Sequence, residues 1–159
     1  MQILITTLVF AFFCCSSETK DIAQEKEEII DSNELASVIE VNFSGGDNNY
    51  TFSVTIASPD TGCDQYADWW EVTDLQGNLI YRRILAHSHV NEQPFTRSGG
   101  PVEILKNTEV YVRVHMNNTS YGSKVMKGSV NEDFTATTLD SGFAKNLENQ
   151  EPQPNGCAF

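Results

Sequence analysis

The sequence predicts an all-β protein, an antiparallel β-sandwich of six to seven strands with an immunoglobulin-like or jelly-roll arrangement. Three observations support this fold class. From Ala36 onward, apolar and polar residues alternate with a period of two, which is typical of strands with one buried face. The breaks between these segments carry Gly, Asn and Asp, which turns favour. No long segment has helical periodicity, which excludes a parallel α/β fold.

Seven segments carry the alternation, at spacings typical of a sandwich. The candidate strands are residues 37–43, 50–58, 68–74, 79–87, 102–105 and 109–116, with a weaker one at 124–130. Residues 44–49, 74–78 and 106–108 are candidate turns, because each offers a Gly or Asn that tolerates a positive φ. A short helix is expected near residues 141–149, before a proline-containing tail.

The composition limits the classes of partner. The chain has 159 residues, with 22 acidic and 10 basic side chains and a formal net charge of −12. This length favours one compact domain, and the sequence places it at residues 36–159. Nucleic acid is excluded as a partner, because binding a phosphate backbone needs several Lys or Arg side chains on one face. Anionic lipid headgroups are disfavoured for the same reason.

Residues 1–15 predict an export signal. The first thirteen are uncharged and largely apolar, whereas a membrane-spanning helix needs about 20 apolar residues. The run ends at Cys14 and Cys15, and it resembles the signal of bacterial lipoproteins, in which the cysteine after the apolar run is acylated. Cys15 fits that pattern better, because Phe12 and the small Cys14 stand where the family has Leu and a small residue. The resemblance implies a lipid anchor on Cys15, and a cleaved signal without lipid is the alternative.

Residues 16–35 are expected to be a disordered tether. They contain seven acidic residues, two lysines and no aromatic side chain, too little apolar area to offset the entropy of ordering. Acidic residues soon after the lipidated cysteine also resemble the surface-export signals of Bacteroidota lipoproteins. The implied location is the cell envelope, as a periplasmic or outer-membrane surface lipoprotein that contacts the membrane through its lipid alone. Secretion is the alternative.

Cys63 and Cys157 are expected to form a disulfide. Once Cys15 is lipidated and Cys14 removed, these two cysteines remain, an even number in an oxidising compartment. In the chain-entropy model, closing a loop of about 95 residues stabilises the domain by up to about 4 to 5 kcal/mol. Two unpaired buried thiols are the alternative. Neither cysteine has a second cysteine or a histidine at chelating spacing, which argues against a metal–thiolate site.

The three histidines define a candidate metal site. His87 and His89 are two residues apart in an extended segment, so their side chains point to the same face about 6.5 to 7 Å apart. His115 lies near the end of another candidate strand, on the face opposite its valines, and Glu92 follows three residues after His89. Imidazole ligands favour zinc or copper. The alternative is that these histidines are hydrogen-bonded structural residues at the end of a sheet.

Residues 87–92, with Gly99 seven residues later, resemble the first metal motif of the cupins. Two residues separate His89 from Glu92 where the family has three or four, and Tyr81 stands where it has Gly. The resemblance implies a metal site built from His87, His89 and Glu92, with His115 at a spacing suited to the last ligand.

A second candidate surface centres on Trp69. Because adjacent strand residues point to opposite faces, one of Trp69 and Trp70 is expected in the core and the other on the sheet surface. An exposed Trp69 would share its face with Glu71. The residues that could assemble beside it, depending on whether the Gly77 turn carries a bulge, are Tyr81, Arg83, Tyr111, Arg113 and His115. Such a face suits a glycan or protein partner. Ordinary cross-strand packing is the alternative.

Residues 92–101 are expected to form a loop beside the histidine pair, and binding residues concentrate on such loops. Its Arg97 is a candidate ligand-binding residue for an anion or a carboxylate. Pairing of Arg97 with Glu92, which would fix the loop, is the favoured alternative.

These observations favour a non-catalytic, lipid-tethered protein that binds a ligand or a metal outside the cytoplasm. An extracytoplasmic zinc or copper enzyme using His87, His89 and His115 is one alternative, and a glycan or protein recognition module is the other. Nucleophilic catalysis has little support, because the sequence contains no Gly-x-Ser-x-Gly elbow and no His-Glu-x-x-His motif.

Overall fold

A computed structural model describes residues 35–140 and 142–158. The expected signal at residues 1–15, the lipidation site Cys15 and nearly all of the expected tether lie outside the described residues. Nine strands and one short 3-10 helix occur within the described ranges. The strands are β1 (Ser37–Gly46), β2 (Asn49–Ala57), β3 (Ala67–Thr73), β4 (Leu79–Ile84), β5 (Phe95–Val102), β6 (Val110–Met116), β7 (Ser120–Tyr121), β8 (Lys124–Ser129) and β9 (Asp133–Thr138).

The strands form two antiparallel sheets packed together, which confirms the predicted β-sandwich. The smaller sheet has the order β1-β2-β5, and the larger has the order β4-β3-β6-β8-β9, with β7 paired to β6. Strand β2 shows the alternation that predicted the fold: Tyr50, Phe52, Val54 and Ile56 are buried, and the residues between them are more exposed. These side chains enter the core between the sheets, where Trp70, Val72 and Val112 meet them from the larger sheet.

The centre of the larger sheet is buried on both of its faces. Every residue of β3 is buried, although one face alone packs on the smaller sheet. The other face is covered by the C-terminal segment, which we define as residues 142–158 and which contains the 3-10 helix Lys145–Asn149. This helix falls within the range predicted as helical.

A disulfide joins the C-terminal segment to the loop before β3. The sulfur atoms of Cys63 and Cys157 are 2.01 Å apart, which confirms the predicted pair, and the bond closes a sequence separation of 94 residues. Next to it, the Ala158 N–H donates a 2.6 Å hydrogen bond to the carbonyl of Ala86. The C-terminal end of the covering segment is therefore held to the loop before β3 and to the loop after β4.

Several strands differ from the prediction. Residues 95–102 form β5, whereas the sequence predicts a loop at 92–101 and a strand at 102–105. Gly99 and Gly100 led to the prediction of a loop instead of a strand. Close packing requires Gly99, because a Cβ on this residue would lie 2.5 Å from the Tyr81 hydroxyl and 3.0 Å from the Trp70 ring. Strand β4 ends at Ile84 rather than at residue 87. Strand β9, which pairs with β8, was not predicted.

Candidate functional site

A buried ion cluster lies on the outer face of the larger sheet. Glu71 on β3 is opposite Arg82 of β4 and Arg113 of β6. Its carboxylate is 0% exposed and accepts a 2.8 Å bond from the Nε of each arginine. The sequence predicts Arg83 beside Trp69, but a register shift between Val72 and Thr73 brings Arg82 to that face instead.

The C-terminal segment supplies the remaining acceptors of the two buried arginines. Arg82 donates to the carbonyls of Leu147, Gln150 and Pro152 at 2.7, 2.5 and 3.0 Å. Arg113 donates to the carbonyls of Phe143 and Ala144 at 2.6 and 3.0 Å. Buried charges are tolerated when they are paired and hydrogen-bonded in this way. Arg113, a predicted ligand-binding residue, therefore fixes the covering segment.

Trp69 is buried beneath the same segment and Trp70 is buried in the core, so the expectation that one of the two is exposed is wrong. It is 2% exposed and stacks on His115 with ring centroids 3.7 Å apart, while the Arg82 guanidinium lies 4.4 Å from its ring. Tyr111 reaches the segment as well, because its ring packs edge-on against Phe143 at 5.4 Å. Tyr81 lies on the opposite face of the larger sheet, with its ring centroid 5.4 Å from that of Trp70. A ligand-binding role for Trp69, Tyr111 and Arg113 stays a prediction, and it requires the segment to move.

His115 is held inside this packed face. Its Nδ1 lies 2.7 Å from the Oδ1 of Asp68, and its Nε2 lies 3.8 Å from the Oε1 of Glu148. Burial raises the pKa of the Asp68 carboxyl, and the bond to His115 opposes that shift. His115 is therefore engaged by residues of β3 and of the C-terminal segment.

His87 and His89 lie in the connection between β4 and β5, residues 85–94, which we call the histidine loop. Their ring centroids are 4.7 Å apart, with 35° between the ring planes. The structure thus brings together the pair that the sequence predicts, in a loop rather than in a strand. Asp60 fixes this loop from outside, because its carboxylate accepts bonds from the His89 N–H at 2.7 Å and from the Ala67 N–H at 3.0 Å.

His89 is the most unusual side chain of the loop. It is 4% exposed and stacks on Phe95 with ring centroids 3.8 Å apart. Within the described residues neither of its ring nitrogens has a hydrogen-bond partner, and the closest carboxylate oxygen, on Asp60, lies 3.8 Å from Nδ1. Burial, followed by the charges of Arg97 and His87, lowers the pKa of His89. The ring is therefore neutral at pH 7, which is the form that binds metals.

Two open cavities flank the histidine pair. The larger, of about 300 Å³, is lined by residues 87–92 and includes the Glu92 side of the loop. The smaller, of about 110 Å³, is lined by both histidines, by Arg83 and Arg97, and by residues 84–86. Arg97 also pairs with Glu92 at 2.7 and 3.2 Å, as the structural alternative expects, and its binding role stays a prediction. The pairing lowers the pKa of the Glu92 carboxyl.

The predicted four-residue metal set is not brought together. His87, His89 and Glu92 share the histidine loop, whereas His115 is occupied by Asp68 and Trp69 on the covered face. In the part of the chain that the structure describes, no three His, Cys, Asp or Glu side chains are grouped so that they would hold a metal ion. Metal binding at the histidine loop stays a prediction, and it depends on His87 and His89.

Sequence reasoning missed three residues that organise these regions. Asp60 stands out only as one of several acidic residues near Cys63, and nothing in its spacing marks it as the anchor of the histidine loop. Arg82 was missed because the register shift places it, and not Arg83, opposite Glu71. Arg83 was placed on the wrong face for the same reason, and it instead lines the smaller cavity.

Comparison with known proteins gives one similarity. The chain is 42% identical over 93 residues to a protein of the halophilic archaeon Halomicrobium mukohataei described as "Putative lipoprotein". The match covers 57% of this chain and 45% of that relative, so the chain spans less than half of the relative's length. No family model and no solved structure matches the chain. Among the described residues, no helix is long and apolar enough to cross a membrane.

Proposed function

We propose that this chain is an extracytoplasmic, lipid-anchored β-sandwich that binds a ligand at the histidine loop and is not an enzyme. The lipid anchor is supported by the signal-like residues ending at Cys15 and by the similarity to a halophile protein described as "Putative lipoprotein". The Cys63–Cys157 disulfide supports a location outside the cytoplasm, because such bonds persist in oxidising compartments.

The binding proposal depends on one observation, the buried and unpartnered ring of His89. Leaving a buried polar group without a partner costs about 1 to 3 kcal/mol, and a ligand that supplies the partner recovers that energy. The loop is already ordered by Asp60, so little further ordering is needed on binding. A ligand atom between the two rings is therefore the simplest partner for His89.

Zinc or copper is the ligand that best suits two neighbouring imidazoles. The larger cavity would admit the ion, and Glu92 would become a ligand only by releasing Arg97. Catalytic zinc sites generally have three protein ligands and an open position. Binding is favoured over catalysis because the described residues place two histidines, and no third ligand, at the loop.

Metal analysis tests this proposal directly. Untagged residues 16–159 would be purified without chelator, titrated with zinc and with copper by calorimetry, and analysed for bound metal by mass spectrometry. We expect about one ion per chain, lost in a His87→Ala/His89→Ala double variant and retained in the control His115→Gln. Absence of binding, or equal binding by the double variant, would overturn the metal proposal. Circular dichroism would show whether each variant keeps its fold.

The lipid anchor has its own test, made in cells. We expect Cys15→Ala to move the exported chain from the detergent phase to the aqueous phase, while Cys14→Ala, which keeps a small residue at that position, leaves the partitioning unchanged. Mass spectrometry of the mature N-terminus would identify the acylated residue. Equal partitioning of the wild type and Cys15→Ala would contradict anchoring through Cys15.

A further inference from the structure

We infer that the smaller cavity beside the histidine pair binds a small oxyanion, such as a carboxylate or a phosphate group. The inference deepens the proposed function, because it assigns a ligand class to the same loop. It does not need the metal. The cavity measures about 110 Å³ and its polar lining is formed by Arg83, Arg97, His87 and His89. A buried water needs on the order of 15 Å³, so this space holds several waters or one small anion.

Arg83 is the first positive group of the cavity. It is exposed on β4, and its Nε and Nη1 donate to the carbonyls of Ser98 and Ile84 at 3.2 and 3.1 Å. A guanidinium has five N–H donors, so three of them remain for solvent or a ligand. Within residues 35–140 and 142–158, no carboxylate lies at ion-pair distance from Arg83. Its positive charge is held in place yet not neutralised.

Arg97 is the second positive group, and its ion pair leaves it available. The pair with Glu92 is solvent-exposed, with side-chain exposures of 28% for Arg97 and 59% for Glu92. Exposed pairs of this kind contribute little to stability, so an incoming anion can replace or share the carboxylate of Glu92. The Arg97 guanidinium also lies 5.4 Å above the Phe95 ring, which keeps it beside the cavity.

The His89 ring completes the cavity with a donor. A neutral imidazole carries one N–H, and the His89 ring has no partner for it among the described residues. An oxyanion accepts several hydrogen bonds at once and would satisfy this donor together with those of the arginines. Because the chain has a net charge of −12, anions are repelled over most of its surface. A concave site with two guanidinium groups is therefore the place where they would bind.

The experiment uses metal-free residues 16–159 at low ionic strength. Inorganic phosphate and acetate are added in separate titrations, and binding is followed by the amide and arginine side-chain signals in two-dimensional NMR spectra. We expect saturable shifts confined to residues 83–98, weakened by added salt. Arg83→Gln should weaken binding about tenfold or more, because hydrogen bonds to charged groups are strong. Lys106→Gln, which removes an equal charge elsewhere on the surface, should leave the affinity within about twofold.

The outcomes separate this inference from the metal proposal. Saturable binding without metal that is lost in Arg83→Gln supports the oxyanion site, whether or not zinc binds. Binding of phosphate and acetate that requires added zinc, or that is equal in Arg83→Gln and the wild type, overturns the oxyanion site and leaves the metal proposal standing. Shifts spread over all surface lysines and arginines would also overturn it. The two titrations further show whether the site prefers a tetrahedral or a planar oxyanion.

Discussion

Arg82 and Arg83 are neighbours on β4, and they have opposite environments. Arg82 points to the outer face of the larger sheet, where Glu71 and three backbone carbonyls use its donors. Arg83 points the other way and lines the smaller cavity, where its bonded partners are two carbonyls. The alternation of a strand thus separates a residue that stabilises the fold from one that is available to a ligand.

The acidic residues beside these two regions differ in the same way. Glu71 is buried between two arginines, whereas Glu92 is exposed and pairs with Arg97 alone. Removing one partner of a buried ion cluster leaves a charge without water, while an exposed pair is replaced by solvent. The covered face should therefore respond to mutation through stability, and the histidine loop through binding.

The largest expected effect tests the buried cluster. Glu71→Gln should lower the free energy of unfolding by about 3 to 5 kcal/mol, because Arg82 and Arg113 keep their charges without a carboxylate. Glu92→Gln is the matched control and should cost about 0 to 1 kcal/mol. Urea unfolding followed by tryptophan fluorescence would measure both. Equal losses would show that the two regions do not differ as the structure indicates.

Removing the disulfide should have the next largest effect. A Cys63→Ser/Cys157→Ser double variant should lose about 2 to 4 kcal/mol of unfolding free energy. Amide hydrogen exchange should also accelerate in residues 142–158, which the disulfide helps to hold over Trp69. Exchange in residues 87–93 should change less, since Asp60 fixes that loop. Unchanged exchange in the C-terminal segment would show that its carbonyl bonds to the arginines suffice.

Asp60→Asn should loosen the histidine loop at a moderate cost. The carboxylate accepts from Ser58, from Ala67 and from the N–H of His89, and an amide replaces one acceptor oxygen with a donor. We expect a loss of about 1 to 3 kcal/mol, together with faster amide exchange at residues 87–93. Asp64→Asn is the control on the same connection between β2 and β3. A loop unaffected by Asp60→Asn would contradict the anchoring role of this carboxylate.

The smallest expected effect is a pH dependence from His89. Its pKa in the folded chain is lowered by burial and then by Arg97 and His87, while Asp60 and Glu92 oppose the shift. The unfolded chain therefore binds more protons than the folded chain just below about pH 6.5, the ordinary pKa of histidine. Stability should rise with pH through that window and be lost as the pH falls toward the folded pKa.

The variant His89→Phe isolates this contribution. Urea midpoints measured between pH 5 and 7.5 should vary less in His89→Phe than in the wild type. Asp68, whose pKa is raised by burial, contributes with the opposite sign, but it is present in both proteins and cancels in the difference. Parallel pH profiles would show that His89 does not titrate as its burial indicates.

The sequence predicts most of the framework because strands such as β2 alternate between apolar and polar residues. In β2 the side chains of Phe52, Val54 and Ile56 enter the core in turn, as the period of two requires. The pairing of Cys63 with Cys157 was also predictable, since two cysteines remain once the signal is removed. Strand β5 was missed because Gly99, Gly100 and Pro101 read as loop residues, although the packing of Tyr81 and Trp70 explains Gly99.

The sites were less predictable because they depend on contacts that are distant in the sequence. One of the two tryptophans was expected on a surface, whereas Trp69 is covered by Arg82, His115 and Tyr121 and lies on the face that residues 142–158 cross. His115 was grouped with His87 by strand position, whereas its partner Asp68 lies 47 residues away. The face that carries Arg82 is decided by the register shift beside the Gly77 turn, an alternative that the sequence left open.

The start of β1 lies beside the histidine loop. Leu35 and Ser37 line an apolar cavity of about 370 Å³ together with Gln93 and Pro94, the last residues of the histidine loop. The chain therefore enters the sandwich at the same end as the histidine loop. If Cys15 carries lipid, as we propose, at most about 70 Å of extended chain separates the membrane from this end of the sandwich and its loop. Its ligand would be captured from the thin layer of fluid next to the bilayer.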